Sequence, residues 1–392
     1  MKCYLDHAAT TPVDSSVLDA MLPFFTSRSG NPSEVHDLGL DAAEALSTAR
    51  VSLSKFIGCR PSEVIFTGSG SESDNLALKG VAWHRQSGIR TPHIITSTIE
   101  HAAVLSTCAQ LERCFGCRVS KVSVDCYGLV DPDEVRRAIT ADTVLVSIIH
   151  ANNEIGTIQP IDEIAKITRE YSVTLHVDAA QSAPWLDVAD SAVGADLMTI
   201  SGHKMNAPKG IAALIVRRGT TLLPLISGGG QELGFRSGTE NVPAIVGMGV
   251  AVEKCRLFKV AARERVSALR DKLIAAVLDQ IAGSVLTGHP KQRLPNHASF
   301  VFENVDAGAL VSEMNNRGVC VSSGSACASR STKPSHLLAA IGTPTHLVGG
   351  SLRITLGTST TEEEISYALD TLIGVIKEVR RYMPRGIRIP GE

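Results

Sequence analysis

The sequence predicts an α/β fold, a mostly parallel sheet covered by helices on both faces, with a smaller α+β domain after it. Between about residues 60 and 220, short β-branched apolar runs alternate with longer helix-compatible stretches. The runs are almost continuously apolar, which is typical of strands buried on both faces of a parallel sheet. From about residue 250, a long amphipathic segment precedes shorter strand-like pieces, which indicates the second domain.

Six runs in the first region are predicted to be buried strands. They are rich in Val, Ile, Leu and Thr, and they span residues 64–67, 93–96, 143–149, 174–178, 197–200 and 212–216. In sheets of this class the ligand binds beyond the carboxyl ends of the strands. The residues that follow each run are therefore the candidates for a functional site.

The second region is predicted to begin with a long amphipathic helix, because apolar residues recur there at helical spacing at Val266, Leu269, Leu273 and Val277. Three strand-like pieces follow, at residues 298–302, 319–321 and 352–355. The first dozen or so residues are expected to complete this domain. The predicted boundaries are 16–252 for the large domain and 1–15 with 253–392 for the small one.

Composition excludes several classes of protein. The 38 Lys and Arg residues nearly balance the 40 Asp and Glu residues, for a net charge of −2, whereas binding nucleic acid needs clustered surplus cations. No basic amphipathic run and no stretch of about 18 apolar residues stands out, so we expect no membrane association. The nine cysteines are scattered and odd in number, which together with the lack of a signal-peptide pattern predicts reduced thiols in the cytoplasm.

A glycine- and serine-rich turn follows the first predicted strand and precedes helix-forming sequence. It runs from Thr67 through Gly70, Ser71 and Glu72. Free backbone N–H groups at such a helix start suit a phosphate group, although a plain helix N-cap explains the pattern equally well. The lysine of a nucleotide-binding P-loop is absent.

Polar residues also end the later strands. Glu100-His101 follows the second strand, where a purely structural histidine is an alternative. Asp178 closes the fourth strand, and a buried carboxylate needs a partner, either a helix N-terminus or a cationic ring nitrogen. The fifth strand leads into Ser201-Gly202-His203-Lys204. A lysine at a buried strand end suits Schiff-base chemistry, and the alternative is a surface lysine such as Lys209.

Together, a phosphate cradle, an Asp, a Lys and a His along one sheet edge are the set that pyridoxal phosphate requires. Its aldehyde binds a lysine, its ring nitrogen a carboxylate, and its phosphate a helix N-terminus. No metal site is predicted, because Cys114-x-x-Cys117 lacks a second pair of ligands.

Seven strings, in order along nearly the whole chain, resemble those of the cysteine desulfurases. They are YLDHAATTP (4–12), FTGSGSESDN (66–75), NNEIG (152–156), HVDAAQ (176–181), SGHK (201–204), RSGTEN (236–241) and SSGSAC (322–327). The resemblance implies the fold-type-I pyridoxal-phosphate transferase fold, with a seven-stranded sheet. It also implies conversion of L-cysteine to L-alanine, with the sulfur passed to an enzyme cysteine.

The resemblance assigns roles by position. Lys204 resembles the lysine that carries the cofactor and moves protons, Asp178 the partner of the ring nitrogen, and Gln181 the donor to the ring hydroxyl. His101 resembles the residue that stacks on the ring and acts as acid–base catalyst. Further cofactor contacts are implied for Gly70, Ser71, Glu72, Ser201 and His203. Asn153 and Arg353 resemble the residues that bind the substrate carboxylate, and Thr239 the threonine that reaches the cofactor phosphate of a second subunit, which implies a homodimer.

Cys327 resembles the nucleophile that takes the sulfur as a persulfide. Its serine- and glycine-rich surroundings favour a loop over a buried position, and the predicted catalytic loop covers about residues 322–334. The SSGSAC form is similar to the branch that delivers sulfur directly to acceptor proteins such as iron–sulfur scaffolds, with tRNA thiolation as another use. Two rivals stay open: another fold-type-I enzyme, such as a selenocysteine lyase or an aminotransferase, and a non-enzymatic sulfur carrier.

Overall fold

The structure, a computed structural model, describes residues 1–86, 88, 91–189, 194–324 and 335–382. The strands are β1 (Cys3–Tyr4), β2 (Val64–Thr67), β3 (His93–Ser97), β4 (Arg118–Val122), β5 (Thr143–Ile149), β6 (Thr174–Asp178), β7 (Leu197–Ser201), β8 (Ala212–Val216), β9 (Ser284–Leu286), β10 (His297–Phe302), β11 (Val319–Cys320) and β12 (Ser351–Thr355). The helices are α1 (Ser15–Met21), α2 (Asp37–Ile57), α3 (Gly70–Gln86), α4 (Ala102–Phe115), α5 (Pro132–Ala138), α6 (Ile161–Glu170), α7 (Val242–Gln280), α8 (Ala307–Asn316), α9 (His336–Ala340), α10 (Thr345–Val348) and α11 (Glu362–Tyr382). Short 3₁₀ turns lie at Leu22–Phe25, Pro61–Glu63, Gly202–Lys204 and Glu232–Gly234.

Seven strands form the large sheet, in the order β2-β8-β7-β6-β5-β3-β4. All pairings are parallel except those of β8, which runs antiparallel to both β2 and β7. The prediction of a mostly parallel α/β sheet is confirmed, and each of its six predicted strands is present. The seventh strand, β4, did not show in the sequence because it is an edge strand whose Arg118 and Lys121 are exposed.

Helices cover both faces of this sheet. On β2, Val64 and Phe66 belong to the apolar core beneath α2 and the start of α7, whereas Ile65 belongs to the core beneath α3 and α4. This alternation follows from the pleat, since successive strand residues point to opposite faces. Because helices cover both faces, the edge formed by the carboxyl ends of the parallel strands stays uncovered.

A second, smaller sheet of antiparallel strands has the order β12-β10-β9, and β1 pairs in parallel with β11 beside it. Its apolar core includes Cys3 and Leu5 from the N-terminal segment. Helix α7 is 39 residues long and contributes Met248 to the core of the large sheet and Leu273 to the core of the small one. The predicted boundary at residue 252 falls inside this helix, so the two predicted domains share it.

None of the helices in the described ranges has both the length and the apolar character needed to cross a membrane.

Candidate active site

A cavity of about 480 Å³ lies at the carboxyl edge of the large sheet and is closed on one side by the small sheet. Among its lining residues are most of those predicted for the site: Gly70, Ser71, His101, Asn153, Asp178, Gln181, Ser201, His203, Lys204 and Arg353. Glu72 and Thr239 are not among the lining residues, and Cys327 lies outside the described residues. Side chains at or just after the carboxyl ends of β2, β3, β5, β6 and β7 thus meet at one place, as expected for a sheet of this class.

The start of α3 forms the cradle at one end of the cavity. An added Cβ on Gly70 would lie 3.6 Å from the Cβ of Ser201 and 3.7 Å from Cγ2 of Thr199, so the helix start packs closely against the end of β7. The first N–H groups of a helix have no partner within it and bind anions. From the sequence alone, a plain helix N-cap explains these residues as well as a phosphate site does. In the structure, the start of α3 lines the cavity.

Glu72 lies beside the cradle, and its charge is balanced there. Its Oε1 accepts a hydrogen bond from Nε of Arg236 at 3.0 Å, and its Oε2 accepts one from the N–H of Gly68 at 2.9 Å. A carboxylate paired in this way repels a neighbouring phosphate much less than a free one does. Glu72 therefore contributes to the cradle through its contacts with Arg236 and Gly68.

Asp178 closes β6 and is 4% exposed. Its Oδ1 accepts a hydrogen bond from the N–H of Ala180 at 2.9 Å. Burial raises the pKa of this carboxyl group, while the nearby His101 and Lys204 lower it. A buried carboxylate with cations close by is the arrangement that stabilises a protonated ring nitrogen.

Lys204 lies in the turn directly after β7. Its Nζ donates hydrogen bonds to the carbonyl oxygens of Ala9, at 2.8 Å, and of Ala8. Nε2 of Gln181 donates to the same Ala8 oxygen at 2.9 Å. The N-terminal segment thus holds the ends of both side chains beside the cavity.

Two histidines of the site are fixed by local contacts. Nδ1 of His101 accepts a hydrogen bond from the N–H of Ala103 at 3.2 Å, so His101 is the N-cap of α4. His101 thus has a structural role in α4 while it also lines the cavity, and its stacking and acid–base roles stay predictions. Burial and the charge of Lys204 lower the pKa of His203 to about 4, so His203 is neutral at pH 7.

Arg353 on β12 is 2% exposed. Its Nη1 donates to the carbonyl oxygens of Asn153, at 2.9 Å, and Gly324, at 3.0 Å, and its Nη2 pairs with Asp6 at 2.8 Å. Its Nε is buried and has no partner among the described residues. A guanidinium held by three partners, with a donor still unused at a cavity wall, is prepared for a carboxylate.

Sequence reasoning assigned no role to several lining residues, among them Asp74, Glu100, Asn152, Glu154 and His336. Asn152 had a detectable signal, since its Oδ1 accepts from the N–H groups of Glu154 and Ile155 in a side-chain-to-backbone turn. Glu100 follows β3, as its place after the second predicted strand implies, whereas Asp74 lies on α3 and reaches the cavity through the packing of that helix against the sheet.

The residues present fit pyridoxal phosphate. A lysine amine, a buried carboxylate, an imidazole, a helix start with hydroxyl groups and an incompletely paired guanidinium surround one space, as this cofactor and an amino-acid substrate require.

Comparisons with known proteins agree with this site. Residues 3–368 match the family model described as aminotransferase class-V. The cysteine desulfurase IscS of Dictyoglomus turgidum is 45% identical over 381 residues, which cover 97% of this chain and 96% of the relative. A solved NifS-like protein superposes with a TM-score of 0.90 at 36% identity, covering 96% of this chain and all of the other. A solved structure titled SspA in complex with cysteine gives a TM-score of 0.81 at 37% identity, over 92% of this chain and all of the other. The chain therefore belongs to the class-V aminotransferase family, and within that family it is a cysteine desulfurase that uses pyridoxal phosphate.

Proposed function

We propose that this enzyme converts L-cysteine to L-alanine and transfers the sulfur to Cys327, from which acceptor proteins take it for iron–sulfur cluster assembly, with tRNA thiolation as a further use. The observation that carries the proposal is the single cavity in which Lys204, Asp178 and Arg353 meet. The similarity to SspA, whose structure is titled as a complex with cysteine, supports the substrate.

The chain divides the chemistry among its side chains. Bound pyridoxal phosphate supplies an electron-withdrawing ring that stabilises negative charge at the substrate Cα. Asp178 holds a proton at the ring nitrogen by charge pairing, and Gln181 uses its second amide N–H to bind the ring hydroxyl. Lys204 would hold the cofactor through its Nζ, and the same amine would take the proton from the substrate Cα and return it.

Arg353 and Asn153 orient the substrate. Nε of Arg353 and the remaining N–H of Nη2 bind the carboxylate, while the fixed contacts to Asn153, Gly324 and Asp6 prevent the guanidinium from turning. The arginine side chain is therefore already ordered in the free enzyme, so substrate binding does not lose the entropy of ordering it.

The sulfur step needs a thiolate from Cys327. Its Sγ attacks the sulfur of the substrate, an S–S bond forms as the substrate C–S bond breaks, and the carbon fragment keeps the electron pair and is protonated to alanine. The described residues that flank this segment support the assignment. The carbonyl of Gly324 bonds to Arg353 at 3.0 Å, and Oγ of Ser335 donates to the cavity residue Glu154 at 2.8 Å. Gly324 and Ser335 are thus each bonded to a residue that lines the cavity.

We also propose a homodimer in which Thr239 serves the partner's site. Thr239 is exposed and lies outside the cavity of its own chain. The chain also has exposed apolar side chains that contact with a second copy would bury, including Leu22, Phe25, Leu40 and Leu233, each more than half exposed. We further propose that residues 16–252 form the large domain. We also propose a cytoplasmic location, because it suits the exposed thiols of Cys114 and Cys126.

Mass spectrometry after incubation with L-cysteine tests the proposal. We expect a gain of one sulfur atom on the peptide that contains Cys327, together with one alanine per sulfur transferred. Cys327→Ala should lose both, while Cys320→Ala, a nearby control in β11, should keep both. Alanine formed at the wild-type rate by Cys327→Ala would refute the nucleophile assignment.

A further inference from the structure

Asp74 is a buried carboxylate that the proposed mechanism does not use. It lies on the inner side of α3, one turn after Gly70, is 2% exposed and lines the active-site cavity. Its Oδ1 has no hydrogen-bond partner among the described residues. An unpaired ionised carboxylate in such a position carries a large desolvation cost, so its protonation state needs an explanation.

Among the described residues, no cation contributes to the electrostatic environment of Asp74. Nε2 of His176 on β6 lies 3.6 Å from Oδ1, but burial lowers the pKa of His176 to about 3, so this imidazole is neutral. The hydroxyl of Thr199 on β7 lies 3.1 Å from Nε2 of His176; its hydrogen bond to Asp74 lowers the pKa of that carboxyl group, but the hydroxyl carries no charge. The remaining ionisable neighbours are the carboxyl groups of Asp178 and Glu100, and both raise the pKa of Asp74.

Asp178 has a different environment. Burial raises the pKa of Asp178 too, but the nearby His101, a backbone hydrogen bond from Ala180 and the charge of Lys204 all act to lower it. Two carboxyl groups that share a buried space do not both ionise, and the proton stays on the one with fewer stabilising partners. That one is Asp74. Glu100, whose pKa burial raises to about 8, likewise adds no charge at pH 7.

We propose that Asp74 is a positioning residue that keeps its proton, so that Asp178 alone presents a negative charge to the cofactor ring nitrogen. The proposal rests on the function proposed above. It adds an explanation of why only one of the two neighbouring aspartates is charged. An ionised Asp74 would repel Asp178 and favour its protonation, which would remove the acceptor that the ring nitrogen requires. A neutral Asp74 keeps the volume and polarity of the pocket without that repulsion.

Infrared spectroscopy of the holoenzyme, produced with ¹³C-carboxyl aspartate, tests the protonation state directly. We expect the wild-type enzyme at pH 8 to show the C=O band of a protonated aspartic acid, and Asp74→Asn to lack it. Asp133→Asn, a control at a side chain that is 72% exposed, should instead lose the signal of an ionised carboxylate. Labelling only aspartate removes Glu100 from the spectrum. The absence of a protonated aspartate band in the wild-type enzyme would overturn the proposal without any variant.

A pH titration of the cofactor's visible absorption band provides the second readout. Asn is close in shape to a protonated Asp, so Asp74→Asn should move the midpoint by less than about 0.3 pH units. If Asp74 is ionised, removing its charge destabilises the protonated form and lowers the midpoint by about one unit or more, which would refute the proposal. Asp178→Asn should lower the midpoint by at least that amount in either case. Neither readout depends on sulfur transfer, so failure of the Cys327 assignment would leave this result interpretable.

Discussion

The two ends of the active-site cavity are built differently. At the end proposed to hold the cofactor ring, Asp178 on β6 and Asp74 on α3 are almost completely buried. At the phosphate end, Ser69 and Ser71 are exposed at the start of α3, and Thr239 stands apart on the surface. One end is complete within a single chain, and the other is completed by the phosphate and, as proposed, by a second subunit.

This difference separates two kinds of contribution. Burial makes electrostatic interactions stronger, so the ring end controls the protonation states on which the chemistry depends. The exposed phosphate end holds the cofactor through many hydrogen bonds to N–H and hydroxyl groups, each of modest strength in water. Substitutions at the ring end are therefore expected to act on the reaction rate, and those at the phosphate end on cofactor retention.

The largest effect is expected for Lys204→Ala, at the ring end. Loss of the amine removes both the covalent attachment and the group that moves the Cα proton, so alanine formation should fall at least about 1,000-fold. The visible band of the lysine-bound cofactor should disappear as well. Lys209→Ala, an exposed lysine five residues away, is the matched control and should keep both. An intact band in Lys204→Ala would show that another lysine holds the cofactor.

Arg353→Lys is expected to have an intermediate effect, because this residue bridges the two sheets at the substrate position. Lysine keeps the charge but loses the planar pair of donors, so KM for L-cysteine should rise about 10- to 100-fold with a smaller change in kcat. Arg113→Lys on the exposed side of α4 is the control. Steady-state kinetics that show a fall in kcat alone would argue against a role in carboxylate binding.

The sequence predicted the buried part of the site better than the part made by distant contacts. Asp178 and Lys204 were identified from strand ends, because a charged residue after an apolar strand is conspicuous and the parallel sheet fixes where it points. Arg353 would have passed for a surface arginine without the family resemblance. Its burial depends on Asp6 and Asn153, which lie 347 and 200 positions away in the chain.

Residues whose role depends on a neighbour's charge were beyond sequence reasoning. Asp74 belongs to the string FTGSGSESDN, but the sequence does not show that it lies close to Asp178. The packing of α3 across β6 and β7 creates that proximity. Helix and strand periodicity place a residue on a face, whereas a protonation state follows from the number of donors and charges within a few ångströms. Edge strand β4 was missed for a related reason, since its exposed face gives no apolar run.

The smallest effect is expected for Thr239→Ala at the phosphate end, and it tests whether that end is shared between subunits. Loss of one hydrogen bond to a charged phosphate should weaken cofactor binding about tenfold, and Thr239→Ser should restore most of it. Mixed dimers then distinguish the two chains. When one subunit carries Thr239→Ala and the other Lys204→Ala, the site with the intact lysine borrows Thr239 from its partner and should bind the cofactor with wild-type affinity. Equally weak binding in this mixed dimer would mean that Thr239 acts within its own chain, and the phosphate end, like the ring end, would then be complete in one subunit.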